Sequence, residues 1–321
     1  MPEEPAGYDP FAPGPFTVGA RTIHARDSDR DREFPVEVWY PEGASGRHPL
    51  ILFSHSSGGR RRQSTFLCTH LSSHGYVVAA MDHSETVAPE LARREGETGE
   101  EKAERMAAMI AARVPDVRFL LRHLLETAAW DGDAKLDADR IGIVGHSFGG
   151  WTALAAPDVE RRIGAVVALA PGGSTVRKPG ILPLALTFAW GRDVPTLYLA
   201  AENDVSLPLE GIVELFDRTS ATKYLYILRR ADHLHFMDNV EQQHEAVRAM
   251  SFTGELAWIP REMQPIADLC SGQEAHLFIR GLTVCHLDAV LRANQEAGRL
   301  LAGGAIPELG ARGIDAILHH H

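Results

Sequence analysis

Ile141-Gly142-Ile143-Val144-Gly145-His146-Ser147-Phe148-Gly149-Gly150 joins a short apolar run to a glycine-flanked serine, and the helical stretch Phe148 to Ala156 follows at once. Ile141 to Val144 is unbroken by charge, which reads as a strand buried on both faces, the kind that builds parallel sheets. The G-x-S-x-G motif therefore stands at a strand-to-helix turn, the context in which it presents a nucleophile. Glycines at 145 and 149 are needed there because the flanking segments pass too close for a Cβ. The free N–H groups at the start of the helix point toward Ser147 and favour negative charge developing beside it.

Working outward, similar apolar runs occur at Pro49 to Phe53, Tyr76 to Met81, Ala165 to Leu169, Thr196 to Ala200 and Tyr224 to Leu228. Helical patterns lie between most of them, at Ser64 to His74, Glu100 to Thr127 and Pro208 to Thr219, giving the alternation of a doubly wound, mostly parallel sheet. Phe16 to His24 and Phe34 to Tyr40 alternate in polarity and are predicted to be antiparallel edge strands. Pro115 is expected to break the long helix between a charged first half and a core-like second half. Beyond residue 238 the pattern is mainly helical to the end. It includes Glu274 to Glu296, whose Leu277, Leu282, Leu287 and Leu291 should pack on the sheet. Residues 1–16, with Pro2, Pro5, Pro10, Pro13 and Pro15, read as an extended arm on the surface. With no repeat or low-complexity linker, residues 17–318 are expected to form one α/β domain. Segments 171–194 and 251–272 are expected to shape a pocket mouth. His319-His320-His321 reads as the remnant of a purification tag.

Composition excludes several classes. The 321 residues carry 32 Lys and Arg against 43 Asp and Glu, a net charge of −11. Arg60-Arg61-Arg62 is the one dense basic run, too little for a nucleic-acid surface. At 45% hydrophobic and 23% charged, the chain can build a large core. Cys68, Cys270 and Cys285 fit buried free thiols, with no disulfide framework or CxxC site. Histidines are scattered without metal-binding spacing, so no metal is implied. No window has the length of a membrane span, and Met1-Pro2-Glu3-Glu4-Pro5 lacks the pattern of a secretory signal, which predicts a cytoplasmic protein.

A serine needs a base to take its proton and an acid to orient the base, in the chain order Ser, acid, His. Asp204 follows the strand that ends at Ala200, and His233 follows the strand that ends at Leu228. Glu202 is the rival acid and His235 the rival base, with Asp204 and His233 favoured by their place in the loops. Asp232 reads as a loop carboxylate. The oxyanion hole is expected from the backbone N–H groups of Phe148 and Ser57, the latter in Ser54-His55-Ser56-Ser57-Gly58-Gly59. His55, His146 and His83 read as packing or loop-fixing residues, and Asp82 as ordering nearby loops.

Gly14-Pro15-Phe16, Val38-Trp39-Tyr40-Pro41, Phe53-Ser54-His55, His74-Gly75-Tyr76-Val77-Val78, the Gly145–Gly150 elbow, and His233 with Phe236 and Asp238 resemble the serine α/β-hydrolases. Within these the chain is similar to platelet-activating-factor acetylhydrolase-like and predicted dienelactone-hydrolase-like esterases, and its elbow resembles that of bacterial polyesterases. The resemblance covers most of residues 14–250. It implies an α/β-hydrolase fold and an ester-hydrolysing enzyme that uses no cofactor and passes through an acyl-serine intermediate. The family's nucleophile, base and oxyanion donors correspond to Ser147, His233, Ser57 and Phe148. Two departures stand out. Ser56 replaces the usual glycine after His55, and Leu169-Ala170-Pro171 occupies the place where the acetylhydrolases carry their acid, which directs the acid to Asp204.

These readings together predict a serine carboxylesterase acting on a hydrophobic ester, small or polymeric, by a monomer or homodimer. Ile181, Leu182, Leu184, Leu186, Phe188 and Trp190, with Phe252, Leu256 and Trp258, would supply the apolar lining. A polyester hydrolase or acyltransferase would use the same triad, and a non-catalytic binding protein could share the scaffold.

Overall fold

A computed structural model describes residues 7–126, 130 and 132–320. Met1 to Ala6 of the arm, the expected helix end at Thr127 and the final His321 lie outside the described residues. The strands are β1 (Val18–Asp27), β2 (Arg32–Pro41), β3 (Arg47–Ser54), β4 (Val77–Met81), β5 (Lys135–His146), β6 (Ile163–Leu169), β7 (Thr196–Ala201), β8 (Lys223–Leu228) and β9 (Ala316–His319). They form one sheet in the order β1-β2-β4-β3-β5-β6-β7-β8-β9. From β4 to β8 every neighbour is parallel, while β1, β2 and β9 join antiparallel. This is the α/β-hydrolase architecture.

The continuous apolar runs are explained by burial on two faces. Leu50 and Leu52 of β3, Val77 and Ala79 of β4, and Val166 and Ala168 of β6 point into one core. Their neighbours Ile51 and Phe53, Val78 and Ala80, and Ala165 and Val167 point into the other. A strand has a side-chain period of two, so a run with apolar residues at every position must be covered twice. The helices α1 (Thr65–Ser73), α2 (Ser84–Val87), α3 (Gly99–Glu126), α4 (Phe148–Ala155), α5 (Leu209–Arg218), α6 (Val240–Ala249), α7 (Ile259–Glu262), α8 (Gly272–Leu291), α9 (Gln295–Arg299) and α10 (Ala305–Ala311) supply most of that cover. α3, α4 and α5 contribute Leu120, Leu154 and Phe216 to the first core. α1 and α8 contribute Leu71, Phe278 and Leu282 to the second. Each such side chain is worth about 1.5–3 kcal/mol of transfer free energy.

Four expectations need correction. Pro115 does not break α3, which runs through it. A proline removes one intrahelical bond, but Arg113 and Asp116 on either side are anchored in the interior, and that tertiary hold carries the helix across. The C-terminal region is not helical to its end: β9 pairs with β8, and His319, grouped with the tag-like histidines, lies opposite Leu225. The helix expected over Glu274 to Glu296 is two helices, because Ala293 adopts a left-handed φ of 53° between α8 and α9. The arm does not lie wholly on the surface: Phe11 is buried, seated against Gly281 of α8 and under the Arg312 guanidinium. Cys68, Cys270 and Cys285 are free and buried.

Candidate active site

The site gathers at the carboxyl ends of β3, β5, β7 and β8, where a parallel sheet opens toward solvent. β5 ends at His146, and Ser147 turns the chain into α4 with φ 60° and ψ −114°. A non-glycine residue in that region costs about 1–3 kcal/mol and persists only where its surroundings impose it. The surroundings are tight. A Cβ on Gly145 would lie 2.0 Å from the Gly149 carbonyl oxygen, and one on Gly149 would lie 1.9 Å from that of Ser54. Ser147 N–H donates to the Leu169 carbonyl, and its own carbonyl accepts from Trp151 and Gly172, which holds the turn at both ends.

β7 and β8 extend their pairing past the strand ends through Glu202 N–H to Leu228 and Asn203 N–H to Ala231. That parallel run brings Asp204 and His233 together. Asp204 Oδ1 accepts from the Ser206 and Leu207 amides at 2.9 and 2.8 Å, shaping its own loop. Its Oδ2 lies 2.6 Å from His233 Nδ1, and His233 Nε2 lies 2.9 Å from Ser147 Oγ. Burial by itself would lower the His233 pKa; the Asp204 carboxylate outweighs it and holds the imidazole above its usual 6.5. With Nδ1–H donating to Asp204, Nε2 is the nitrogen free to accept the serine proton.

The rivals are placed elsewhere. Glu202 accepts from the Arg230 amide and pairs with Arg229. His235 is buried behind the site, in a short 3₁₀ helix over His233–Phe236 that begins before Asp238. Asp232 is not simply a loop carboxylate. It is buried, its Oδ1 lies 2.8 Å from His235 Nδ1, and its Oδ2 lies 2.9 Å from His244 Nε2 of α6. His235 Nδ1 also meets the Asp232 amide at 3.0 Å, so its acceptors are the Asp232 carboxylate and the Cys270 carbonyl, the latter 3.0 Å from Nε2. Despite burial, these partners push the His235 pKa up to about 10. His244 carried no signal in the sequence that set it apart from its helix.

Ser57 and Phe148 both border a cavity of about 400 Å³ that also holds Ser147 and His233. Phe148 is the first residue of α4, so its N–H has no acceptor one turn back in the helix. The Ser56 hydroxyl donates to Gln63 Oε1 at 2.6 Å, which absorbs the polar group that replaces glycine there. Both predicted mouth segments reach the cavity, with Ile181, Leu182 and Leu184 from one and Phe252, Leu256 and Ile259 from the other. Leu186, Phe188 and Trp190, expected in the lining, pack instead with the first core, and Trp258 donates to the Pro179 carbonyl. Lys178 ties the segments together by pairing with Glu262 and lying 4.5 Å from the Trp258 ring. His146 is buried against His233, His83 hydrogen-bonds Ser54, and Asp82 accepts from the Arg61 backbone and guanidinium. No helix among the described residues is long and apolar enough to cross a membrane.

Comparison with known proteins places the chain. A family model described as Chlorophyllase matches residues 7–195, more than half of the chain, including the elbow but ending before Asp204 and His233. Chlorophyllase-1, chloroplastic, of Citrus sinensis is 25% identical over 154 residues, 48% of this chain and 41% of that protein. Platelet-activating factor acetylhydrolase of Cavia porcellus is 25% identical over 173 residues, 43% of this chain and 38% of that one. The chain thus spans about two fifths of the length of these curated relatives. A solved ferulic acid esterase from Streptomyces cinnamoneus superposes with a TM-score of 0.64 at 23% identity, over 90% of this chain and 94% of that one, and shares its fold. On the strength of the family match, this chain belongs to the chlorophyllase family.

Proposed function

We propose that the protein is a serine carboxylesterase, with Ser147 as nucleophile, His233 as general base and acid, and Asp204 as the group that orients His233. The observation that carries this reading is the unbroken chain of contacts from Asp204 Oδ2 through His233 to Ser147 Oγ, at 2.6 and 2.9 Å. Ser147 Oγ attacks the ester carbonyl while its proton passes to His233 Nε2, and the Ser57 and Phe148 amides hold the oxyanion. His233 then gives the proton to the leaving alkoxide. Water, deprotonated by the same imidazole, releases the acid from the acyl-serine.

The names of the relatives point the same way, since an acetylhydrolase and a ferulic acid esterase both cleave esters. The cavity's leucine, isoleucine and phenylalanine lining favours a hydrophobic acyl or alcohol group. Residues 17–318 are read as one catalytic domain because strands from both halves of the chain complete one sheet. The test is hydrolysis of p-nitrophenyl esters from acetate to long acyl chains by wild type and Ser147→Ala. Abolished turnover in the variant is expected; equal turnover overturns the assignment.

A further inference from the structure

Arg113 of α3 is fully buried, an expensive place for a guanidinium, and it stands directly behind the oxyanion loop. It pairs with Glu85 and donates to Ser54 Oγ at 3.2 Å, to the His55 carbonyl at 2.7 Å and to the Ser56 carbonyl at 3.2 Å. His55 donates from Nδ1 to the same Ser56 carbonyl at 2.7 Å, while its Nε2 accepts the His83 amide proton at 3.2 Å. Those two bonds specify the neutral Nδ1–H tautomer. Burial, reinforced by the Arg113 charge, holds the His55 pKa well below 6.5, in agreement with that tautomer. On the opposite side of Ser56, its amide donates to Gln63 Oε1 at 3.0 Å, and Gln63 Nε2 donates to His146 Nδ1 at 2.9 Å, beside the nucleophile.

A trans peptide points its N–H opposite to its C=O. Holding the Ser56 carbonyl inward therefore aims the Ser57 N–H outward, toward the cavity that Ser57 borders. The Arg113 guanidinium also lies 4.0 Å from the ring centroid of Phe148, whose N–H is the other donor.

We propose that Arg113, with His55 and Gln63, is a positioning residue for ester hydrolysis: by clamping the Ser56 carbonyl and amide it sets the Ser57 N–H for the oxyanion of the tetrahedral intermediate. The inference rests on the serine-esterase reading above. It explains why a full charge is kept in the interior where no substrate reaches: Arg113 has donors enough to hold two carbonyls and a carboxylate at once, which the smaller ammonium of lysine cannot span.

The test compares Arg113→Lys, His55→Leu, His55→Asn and Ser147→Ala with wild type on p-nitrophenyl butyrate, with melting curves and active-site titration to count folded, competent enzyme. Arg113→Lys and His55→Leu are expected to lose about 10- to 100-fold in kcat with KM within about threefold, because the oxyanion exists only past the ground state. A trifluoromethyl ketone, which forms a tetrahedral adduct with serine, should lose affinity by the same factor, while the matching methyl ketone should not. His55→Asn, whose amide can offer an N–H near the place of Nδ1, should recover much of the loss. Should Arg113→Lys and His55→Leu fail to fold, Gln63→Met carries the same comparison from the amide side. A folded variant with wild-type kcat, or one whose lost kcat leaves the ratio of the two ketones unchanged, overturns the proposal. Full turnover by Ser147→Ala would overturn the esterase reading and this inference with it; a dead Ser147→Ala beside a fully active Arg113→Lys overturns this inference alone.

Discussion

Gly149 faces the Ser54 carbonyl so closely that a Cβ would stand 1.9 Å from the oxygen and 2.7 Å from the carbonyl oxygen of His55. The first turn of α4 thus rests directly on the backbone of Ser54 and His55. A Gly149→Ala substitution must push these two segments apart. Overpacking of this kind against backbone is expected to cost about 3 kcal/mol or more. Thermal denaturation should show a clear drop in Tm, and the fraction that folds should hydrolyse esters more slowly than wild type.

On the proposed mechanism, the His233 pair sets the acid limb of activity. Its imidazole must be neutral to accept the serine proton, and burial opposed by the stronger pull of Asp204 leaves its pKa above 6.5. The kcat/KM profile should therefore fall as pH drops through a midpoint above 6.5. In Asp204→Asn the opposing carboxylate is gone, so the midpoint should move down while kcat falls about 10³- to 10⁴-fold, because the tautomer is no longer held. A midpoint unmoved by the substitution would contradict this account.

Behind the site, the Asp232 carboxylate joins the buried His235 and His244. The folded pKa of His235, about 10, exceeds its unfolded value near 6.5. The stabilisation from this pair is fully present below 6.5 and is lost as pH rises toward 10. Burial would raise the Asp232 pKa, but the two histidines lower it instead, so the acid side of the contribution fades only below the ordinary carboxylate range. Asp232→Asn should lower stability near pH 6 by about 3 kcal/mol and by less near pH 10. Urea denaturation at several pH values checks both parts.

Ile259 and Ile181 both line the cavity. An Ile259→Trp substitution should narrow it and reduce kcat/KM for long acyl esters by about tenfold while sparing acetate. An unchanged chain-length profile would show that the acyl group lies elsewhere in the cleft.

The local pattern determined a good deal. Continuous apolar runs such as Leu50 to Phe53 and Val166 to Leu169 can be buried only by layers on both faces, so the parallel sheet was legible from order alone. The elbow was legible too, because Gly145 and Gly149 answer a steric demand that arises within six residues. The behaviour of Pro115 was not legible: local propensity predicts a break, and anchoring of Arg113 and Asp116 by partners far along the chain overrides it. Strand β9 was likewise hidden, since four residues carry little period and need β8 to pair with.

At the site, sequence determined which residue types stand at the ends of which strands. Tertiary structure decided which of them meet. His233 and His235 differ by two positions, yet the 3₁₀ turn between them sends one toward Ser147 and buries the other on Asp232. Arg113 and Gln63 carried no sequence mark at all, because their partners, backbone groups and side chains alike, are brought close only by the folded sheet. Hydrophobic order is written in near neighbours along the chain, whereas polar contacts depend on direction and on a distance of about 3 Å between groups far apart in sequence, which only the completed fold supplies.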